Sequence, residues 1–524
     1  MNLVAATFTA TATYEYTSAE DYALTINGAE NGAEPCTSVA NADGSITIVC
    51  PDGTTATVPG DRPCSVAKVT DGSVSVVCPD ETYVPLPGEE SCTVVENADG
   101  SFRVECQDGS SVTMAAGGAA SLSEGSSVIM PAGGQAILSG GGLVRVLSIE
   151  ATGGPNANIT LANLTIQDGW ASRGAGLNVL AQAGDVTIKG CSFVNNRSET
   201  LGGEIAEGGG ARVTKGEFGS GSAIIRNSYF ESNQANHGAG LFVLAPSVTL
   251  EGNTFVDNHL TLGGYLLEGY FGAGAHVATT QGPVNVFDNS FKDNHAPMPA
   301  HGGGLYLNAV GFATTTVQDN TFSGNQIEEA GFGGGAYVSV IDAPLHLAAN
   351  IFRDNSVAST DATGGGGGLY VRLFGSFADG TFVNNAFLGN KSGAAATAAW
   401  LESLDTTVNF INNTAVNNQV TLDPLPVVSS AVRMKAPTAS IYNNIIWGNN
   451  ASWDLALAEG TWWVNLFNND IHSYIVPSTA ALNRGENIDA DPELSVFAGY
   501  YIGTDTSLVI DAGSNLAPAL PLLD

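Results

Sequence analysis

One mark recurs along most of this chain and limits its possible folds more than any other feature. Phe-x-x-Asn occurs at Phe193/Asn196, Phe230/Asn233, Phe255/Asn258, Phe291/Asn294, Phe322/Asn325, Phe352/Asn355 and Phe387/Asn390. It returns in decayed form at Ala415/Asn418 and Ile446/Asn449, and the intervals run from 25 to 37 residues. A glycine-rich tetrapeptide shares the period: GAGL from Gly174, GGGA from Gly208, GAGL from Gly238, GAGA from Gly272, GGGL from Gly302, GGGA from Gly333 and GGGL from Gly366. Each leads into a strand such as LYV or AYV, and strand-like segments VTIKG, VTLEG, VNVFD, TTVQD and LHLAA lie between. Three short strands and three turns per period, with no helical periodicity, predict an all-β chain: a right-handed parallel β-helix of about 10–12 rungs.

Stacking explains the residue choices. Successive rungs lie about 4.8 Å apart, so each position sits above its own repeat. The phenylalanines then form an interior ladder, the asparagines at the turn can satisfy one another's amides, and glycine permits a corner where a Cβ would clash. A phosphate-cradling loop is the rival reading of the glycines, but seven recurrences at one phase favour the corner.

Six cysteines mark a second, smaller repeat. Cys36, Cys50, Cys64, Cys78, Cys92 and Cys106 are each 14 residues apart, which defines three 28-residue units with Asp-Gly at the centre of each. Alternating Val, Ile, Thr and Phe around that turn predict three small β-hairpins. Counting outward from the turn pairs Cys36 with Cys50, Cys64 with Cys78 and Cys92 with Cys106. A disulfide stapling each hairpin, and an oxidising compartment, follow. Zinc is the alternative, though the short Cys-x-x-Cys bite and an accompanying His are missing. Cys191 stands outside the series and reads as a buried thiol.

Composition narrows the partners. Seventeen Lys plus Arg against 51 Asp plus Glu give a net charge of −34, with only 13% of residues charged. Such an anionic excess argues against nucleic acid or an anionic membrane. Cations or another copy of the chain fit better. The 65 glycines lack a Gly-X-Y period and 44% of residues are hydrophobic, which excludes collagen and whole-chain disorder. No apolar run is long enough for a transmembrane segment, and the first residues lack the basic start and apolar core of a signal peptide. The expectation is an exported protein whose address is absent from this numbering.

The alternation of FxxN with GGA-like tetrapeptides over roughly residues 160–450 resembles the passenger repeats of the chlamydial polymorphic outer-membrane proteins, within the pectate-lyase-like superfold. Residues 487–513 resemble the closing segment of secreted bacterial β-helix proteins that carry a C-terminal surface anchor. The resemblance implies an extracellular or bacterial cell-surface role, commonly adhesion; no translocator barrel follows the repeat, and the chain stops at Asp524.

Catalysis is not the leading reading. β-helices host polysaccharide lyases and glycoside hydrolases, whose sites need clustered carboxylates with a base. Asp257 and Asp293 precede the Asn of their motif, while Asp288 and Asp319 stand three residues before the Phe. In register each pair would lie about one rung apart, as for a bridged cation, so calcium is the expected cofactor if any. His237 and His301 each precede a glycine corner, which a repeat position explains, and Arg433 and Lys435 stand too far from other candidates to be nominated. Long insertions at 198–207, 260–270 and 356–366 share one phase, where solenoids often bind ligands, and TLGG recurs at Thr200 and Thr261.

The expected layout is an N-terminal strand arm (1–33), three Cys-paired hairpin repeats (34–118), the β-helix (119–475) and a closing segment (476–524). The leading function is a structural or interaction protein that self-assembles head-to-tail by strand addition. Its donor would be residues 6–17, which alternatively pair with the first hairpin. The rival readings are a polysaccharide-active enzyme and an adhesin for carbohydrate or another cell-surface ligand.

Overall fold

The computed structural model describes strands between Ala12 and Ile129 as backbone, and from Ala136 onward most residues as far as Gly513. The segments 152–157, 201–204, 216–218, 264–268, 359–363, 394, 423–428, 498–499, 504–506, 510–512 and 514–524 are not described. The chain divides into two compact units, Met1–Ala116 and Gly117–Asp524.

In the first unit each 28-residue repeat folds into a three-stranded antiparallel sheet: Thr37–Ala40, Ile46–Val49 and Thr55–Val58; Ser65–Lys68, Val74–Val77 and Tyr83–Pro85; Thr93–Glu96, Phe102–Glu105 and Ser111–Met114. This corrects the expected two-stranded hairpin. The segment after the second cysteine, PDG in the first repeat, is itself a turn signal, and the β-prone run beyond it adds the third strand. Across the central turns Thr37 faces Val49, Ser65 faces Val77 and Thr93 faces Glu105. The six cysteines lie outside the described residues. Ala12–Thr13 pairs with Thr25–Ile26, a partner within the N-terminal arm that neither expectation for residues 6–17 had named.

The second unit is a parallel β-helix. A first sheet of 13 strands runs from Ser127–Ile129 to Ala481–Gly485, and second and third sheets have 12 strands each. Among the described residues the second and third sheets give 12 rungs, at the top of the expected range, and the first gains a thirteenth strand because Ala481–Gly485 pairs in parallel with Trp463–Phe467, past residue 475. A fourth sheet of two-residue strands, such as Arg197–Ser198 and His259–Leu260, follows each FxxN corner, so a rung has four strands where three were expected.

The interior is built from ladders. Phe193, Phe230, Phe255, Phe291, Phe322, Phe352 and Phe387 are fully buried and stack with centroids 4.7–5.0 Å apart. The rings lie within 10° of parallel, and the rung spacing sets their separation. In the third sheet, the inward position after the glycine corner alternates Leu177, Ala211, Leu241, Ala275, Leu305, Ala336, Leu369 and Ala399. Large over small lets neighbours only one rung apart share the core volume.

Asparagine closes both corners of the second sheet. Asn258 donates Nδ2 to Asn294 Oδ1 at 2.9 Å and to the Phe230 carbonyl at 3.0 Å, while its Oδ1 accepts from the backbone and side-chain nitrogens of Asn233. This pattern links Asn196, Asn233, Asn258, Asn294, Asn325, Asn355, Asn390, Asn418 and Asn449. A second, parallel ladder links Asn253, Asn289, Asn320, Asn350, Asn385, Asn413, Asn444, Asn469 and Asn487 at the preceding corner. Ser228 and Cys191 head it: the Cys191 amide donates to Ser228 Oγ and the Ser228 amide to Asn253 Oδ1. Cys191 is a buried free thiol, its pKa raised by that burial.

The glycine corner is steric. Gly302 has φ +70°, and a Cβ on Gly304 would lie 2.6 Å from the Gly335 carbonyl oxygen of the next rung.

Candidate functional site

The tight glycine corner brings an outward column of the third sheet against a column of residues that lies just before the glycines, outside that sheet. Alternation along each strand turns the residue after the first inward position to the outside, which gives in register Asn178, Arg212, Phe242, His276, Tyr306, Tyr337, Tyr370, Trp400 and Arg433. Residues just before the glycines form the companion column Arg173, Glu207, His237, Phe271, His301 and Phe332. Rings from the two columns interleave: Phe271 lies 4.5 Å from Tyr306, His301 5.1 Å from Tyr337 and Phe332 4.5 Å from Tyr370. Tyr306, Tyr337 and Tyr370 stack within 17° of parallel, so their faces are occupied by one another.

This wall buries groups that are usually wet. Burial drives the His276 pKa well below its ordinary value, helped by the neighbouring His237, and lowers that of His301 to about 4. Both imidazoles are therefore neutral at physiological pH. His237 bonds the Gly269 carbonyl through Nε2 at 3.0 Å.

Charges flank the aromatic wall. At one end Glu207 accepts from Arg212 at 2.7 Å with Arg173 at 3.6 Å, and Arg145, one rung earlier, bonds the Arg173 and Gly174 carbonyls. At the other end Glu402 meets Lys435 at 3.0 Å, the Tyr370 hydroxyl at 3.3 Å and Arg372 at 3.8 Å, and Arg433 lies 4.9 Å over the Trp400 ring. Burial and then the Glu402 charge push the Tyr370 phenol upward. Burial lowers Arg433, with Glu402 opposing. Arg433 and Lys435 are isolated in sequence only; the fold brings them to Arg372 and Glu402, which come from neighbouring rungs. A signal was available, because the residue following each GGGL-like tetrapeptide is aromatic or basic in most repeats.

The four aspartates nominated as cation ligands all take left-handed turn conformations, with φ of +53° at Asp257, +58° at Asp288, +52° at Asp293 and +55° at Asp319. They are exposed and fall in two columns at different corners. Asn, Gly and Ser occupy the same turn positions elsewhere, so backbone conformation accounts for the residue choice. Asp257 touches His259 and Ser232, Asp293 lies 3.8 Å from Lys292, and Gln318 donates to Asp319. Among the described residues no three His, Cys, Asp or Glu side chains are placed to hold one metal ion.

Thr200 and Thr261, which open the two TLGG segments, are bridged across the short rung between them. Buried Asn236 bonds Thr200 Oγ1 at 2.7 Å and donates to the Thr261 carbonyl at 2.6 Å. A depression of about 240 Å³ lies beside them, lined by Arg197, Glu199, Thr200, Thr261, Leu262 and Gly263. A second, of about 360 Å³, runs along Thr438, Trp463, Asn465, Leu482 and Asn483 near the end of the first sheet.

Residues 144–374 match the family model described as a right handed beta helix region. Together with the parallel sheets, that decides the architecture. The chain carries a right-handed parallel β-helix. No curated protein and no solved structure matches it. Among the described residues no helix is long and apolar enough to cross a membrane.

Proposed function

We propose that this β-helix protein is a secreted or cell-surface interaction protein that binds an anionic glycan along the exterior of its third sheet. The observation that carries the reading is the gathering of three cations on a chain of net charge −34, Arg372 and Lys435 on Glu402 and Arg433 over the neighbouring Trp400 ring. Over most of the surface a polyanion is repelled, so it is held only where cations gather, and the partly buried Arg433 is short of solvent to screen it. The oxidising compartment is supported by the strand registers of the N-terminal repeats. Thr37 and Val49, Ser65 and Val77, and Thr93 and Glu105 face each other, and each of these six residues adjoins a cysteine in sequence. Disulfides Cys36–Cys50, Cys64–Cys78 and Cys92–Cys106 belong to this proposal, and non-reducing peptide mapping that finds any other pairing removes that support. Because Ala12–Thr13 has a partner in its own arm, the reading does not route self-assembly through residues 6–17.

Calorimetric titration with soluble polygalacturonate, against neutral dextran, tests the glycan proposal. The expected result is salt-sensitive binding of the polyuronate, weakened about tenfold or more by Arg433→Ala combined with Lys435→Ala, since each removed contact costs on the order of 1 kcal/mol. Equal binding of dextran, or an unchanged affinity in the double variant, would overturn it. The Tyr370–Glu402–Arg372 contact favours one second reading, a polysaccharide-active enzyme. New reducing ends appearing on prolonged incubation, and lost in Glu402→Gln, would establish that alternative.

A further inference from the structure

The short fourth strand carries an arrangement that the glycan reading does not use. The residue after each FxxN asparagine points outward there, and in register this column reads Gln234, His259, His295 and Gln326. The two imidazoles meet through like atoms: His259 Nδ1 lies 3.3 Å from His295 Nδ1, with the rings at 79°. Their other nitrogens are both engaged by carboxylates. His259 Nε2 is 3.0 Å from Asp257 Oδ1, and His295 Nε2 is 3.0 Å from Glu328 Oε1.

These contacts favour one tautomer of each ring. A ring that donates its Nε2 hydrogen to a carboxylate presents a bare lone pair at Nδ1. Two such lone pairs at this separation repel unless a shared proton or a metal ion sits between them, and zinc titration distinguishes the two. Two nitrogens bound to one tetrahedral zinc at about 2.0–2.1 Å stand about 3.3–3.4 Å apart, whereas adjacent positions of a square-planar ion would bring them to about 2.8–3.0 Å. The carboxylate on the far nitrogen of each ring is the outer partner that metal-bound histidines usually keep. The local backbone explains the placement: the left-handed turn at Asp257 folds its carboxylate back toward the residue two positions on, and Glu328 comes from the following rung.

We propose that His259 and His295 form a zinc-class binding site through their Nδ1 atoms, with Asp257 and Glu328 orienting the rings. The remaining coordination positions are open to water or to a donor from a bound ligand. Asp257 thereby has a different role from the calcium ligand expected from sequence: it holds an imidazole that holds the ion. Imidazole nitrogen suits zinc and its neighbours and is a poor partner for calcium, which takes oxygen.

The test titrates zinc into the full chain, stripped beforehand with chelator, by calorimetry at neutral pH. The expected result is one zinc per chain whose affinity falls by more than about 100-fold in His259→Gln or His295→Gln and by about 10–100-fold in Glu328→Gln. Glutamine already occupies this column at Gln234 and Gln326, so these variants keep the fold, which circular dichroism verifies. A millimolar excess of calcium should leave the isotherm unchanged. The proposal is overturned if zinc uptake is undetectable, if the His259→Gln/His295→Gln double variant binds zinc as the wild type does, or if calcium competes. Uptake that is equal in the double variant and the wild type is uptake elsewhere, as by the cysteines of the N-terminal repeats, and overturns the site.

Discussion

The interior corners and the exterior of the third sheet are both columns of side chains stacked one rung apart, yet they are filled by opposite rules. Inside, the same residue recurs: Phe193 to Phe387 in one column and two runs of Asn beside it. Outside, the column changes from Asn178 through Arg212, Phe242, His276 and three tyrosines to Trp400 and Arg433. An amide carries donor and acceptor together and a ring can stack on its copy, so repetition satisfies both. A charge repeated at about 4.8 Å is repelled, which solvent screens at exposed turns such as Asp257 and Asp293 but not in the half-buried wall of the third sheet, so there the column varies and the molecule can become specific.

The largest test of that contrast is truncation. Phe322→Ala, which removes a ring packed between Phe291 and Phe352, is expected to cost about 4 kcal/mol in chemical denaturation. The exterior Tyr337→Ala should cost roughly half as much; equal losses would break the distinction. Next comes the ladder: Asn325→Ala leaves the backbone and side-chain nitrogens of Asn294 without their acceptor and is expected to cost about 3 kcal/mol. Lys435→Ala, which removes a partly exposed ion pair, should stay below about 1 kcal/mol.

A pH series sharpens the comparison at the aromatic wall. The folded pKa of His301, about 4, is below its ordinary value of 6.5, so the fold favours the neutral ring. Its stability contribution is complete above pH 6.5 and is lost as pH falls from 6.5 toward 4, because only the unfolded chain takes up the proton there. Phe271 and Phe332 flank it in the same column, so His301→Phe should fold, and it should remove about 2 kcal/mol of the loss between neutral pH and pH 5. A wild-type pH profile no steeper than the variant's would refute the buried neutral assignment. The smallest expected effect is at the turns: Asp319→Asn keeps a side chain that tolerates φ +55° and should change stability by less than about 0.5 kcal/mol, in calcium or in chelator alike. A calcium-dependent loss would restore that column as a cation site.

Much of this was legible in the repeat. FxxN marked the corner and the phenylalanine stack, and the glycine tetrapeptides marked the steric turn. The second asparagine ladder was missed although GNTF, DNSF, DNTF and NNAF spell it two residues before each Phe. Its first two positions hold Cys191 and Ser228, which hid the column where reading began. The fourth strand was missed because two residues are too few to show a period.

The sequence alone determined the solenoid, the period and therefore which residues share a column, because stacking converts recurrence in sequence directly into vertical contact. Only the tertiary structure decided what each column faces. Arg372, Glu402 and Lys435 stand 30 and 33 residues apart and meet because the glycine corners and loops between them leave their strands in register. Likewise His259 and His295 were readable as neighbours from the period, but that they meet through Nδ1 depends on Asp257 and Glu328 turning the rings, an outcome of rotamers chosen by side chains from separate rungs.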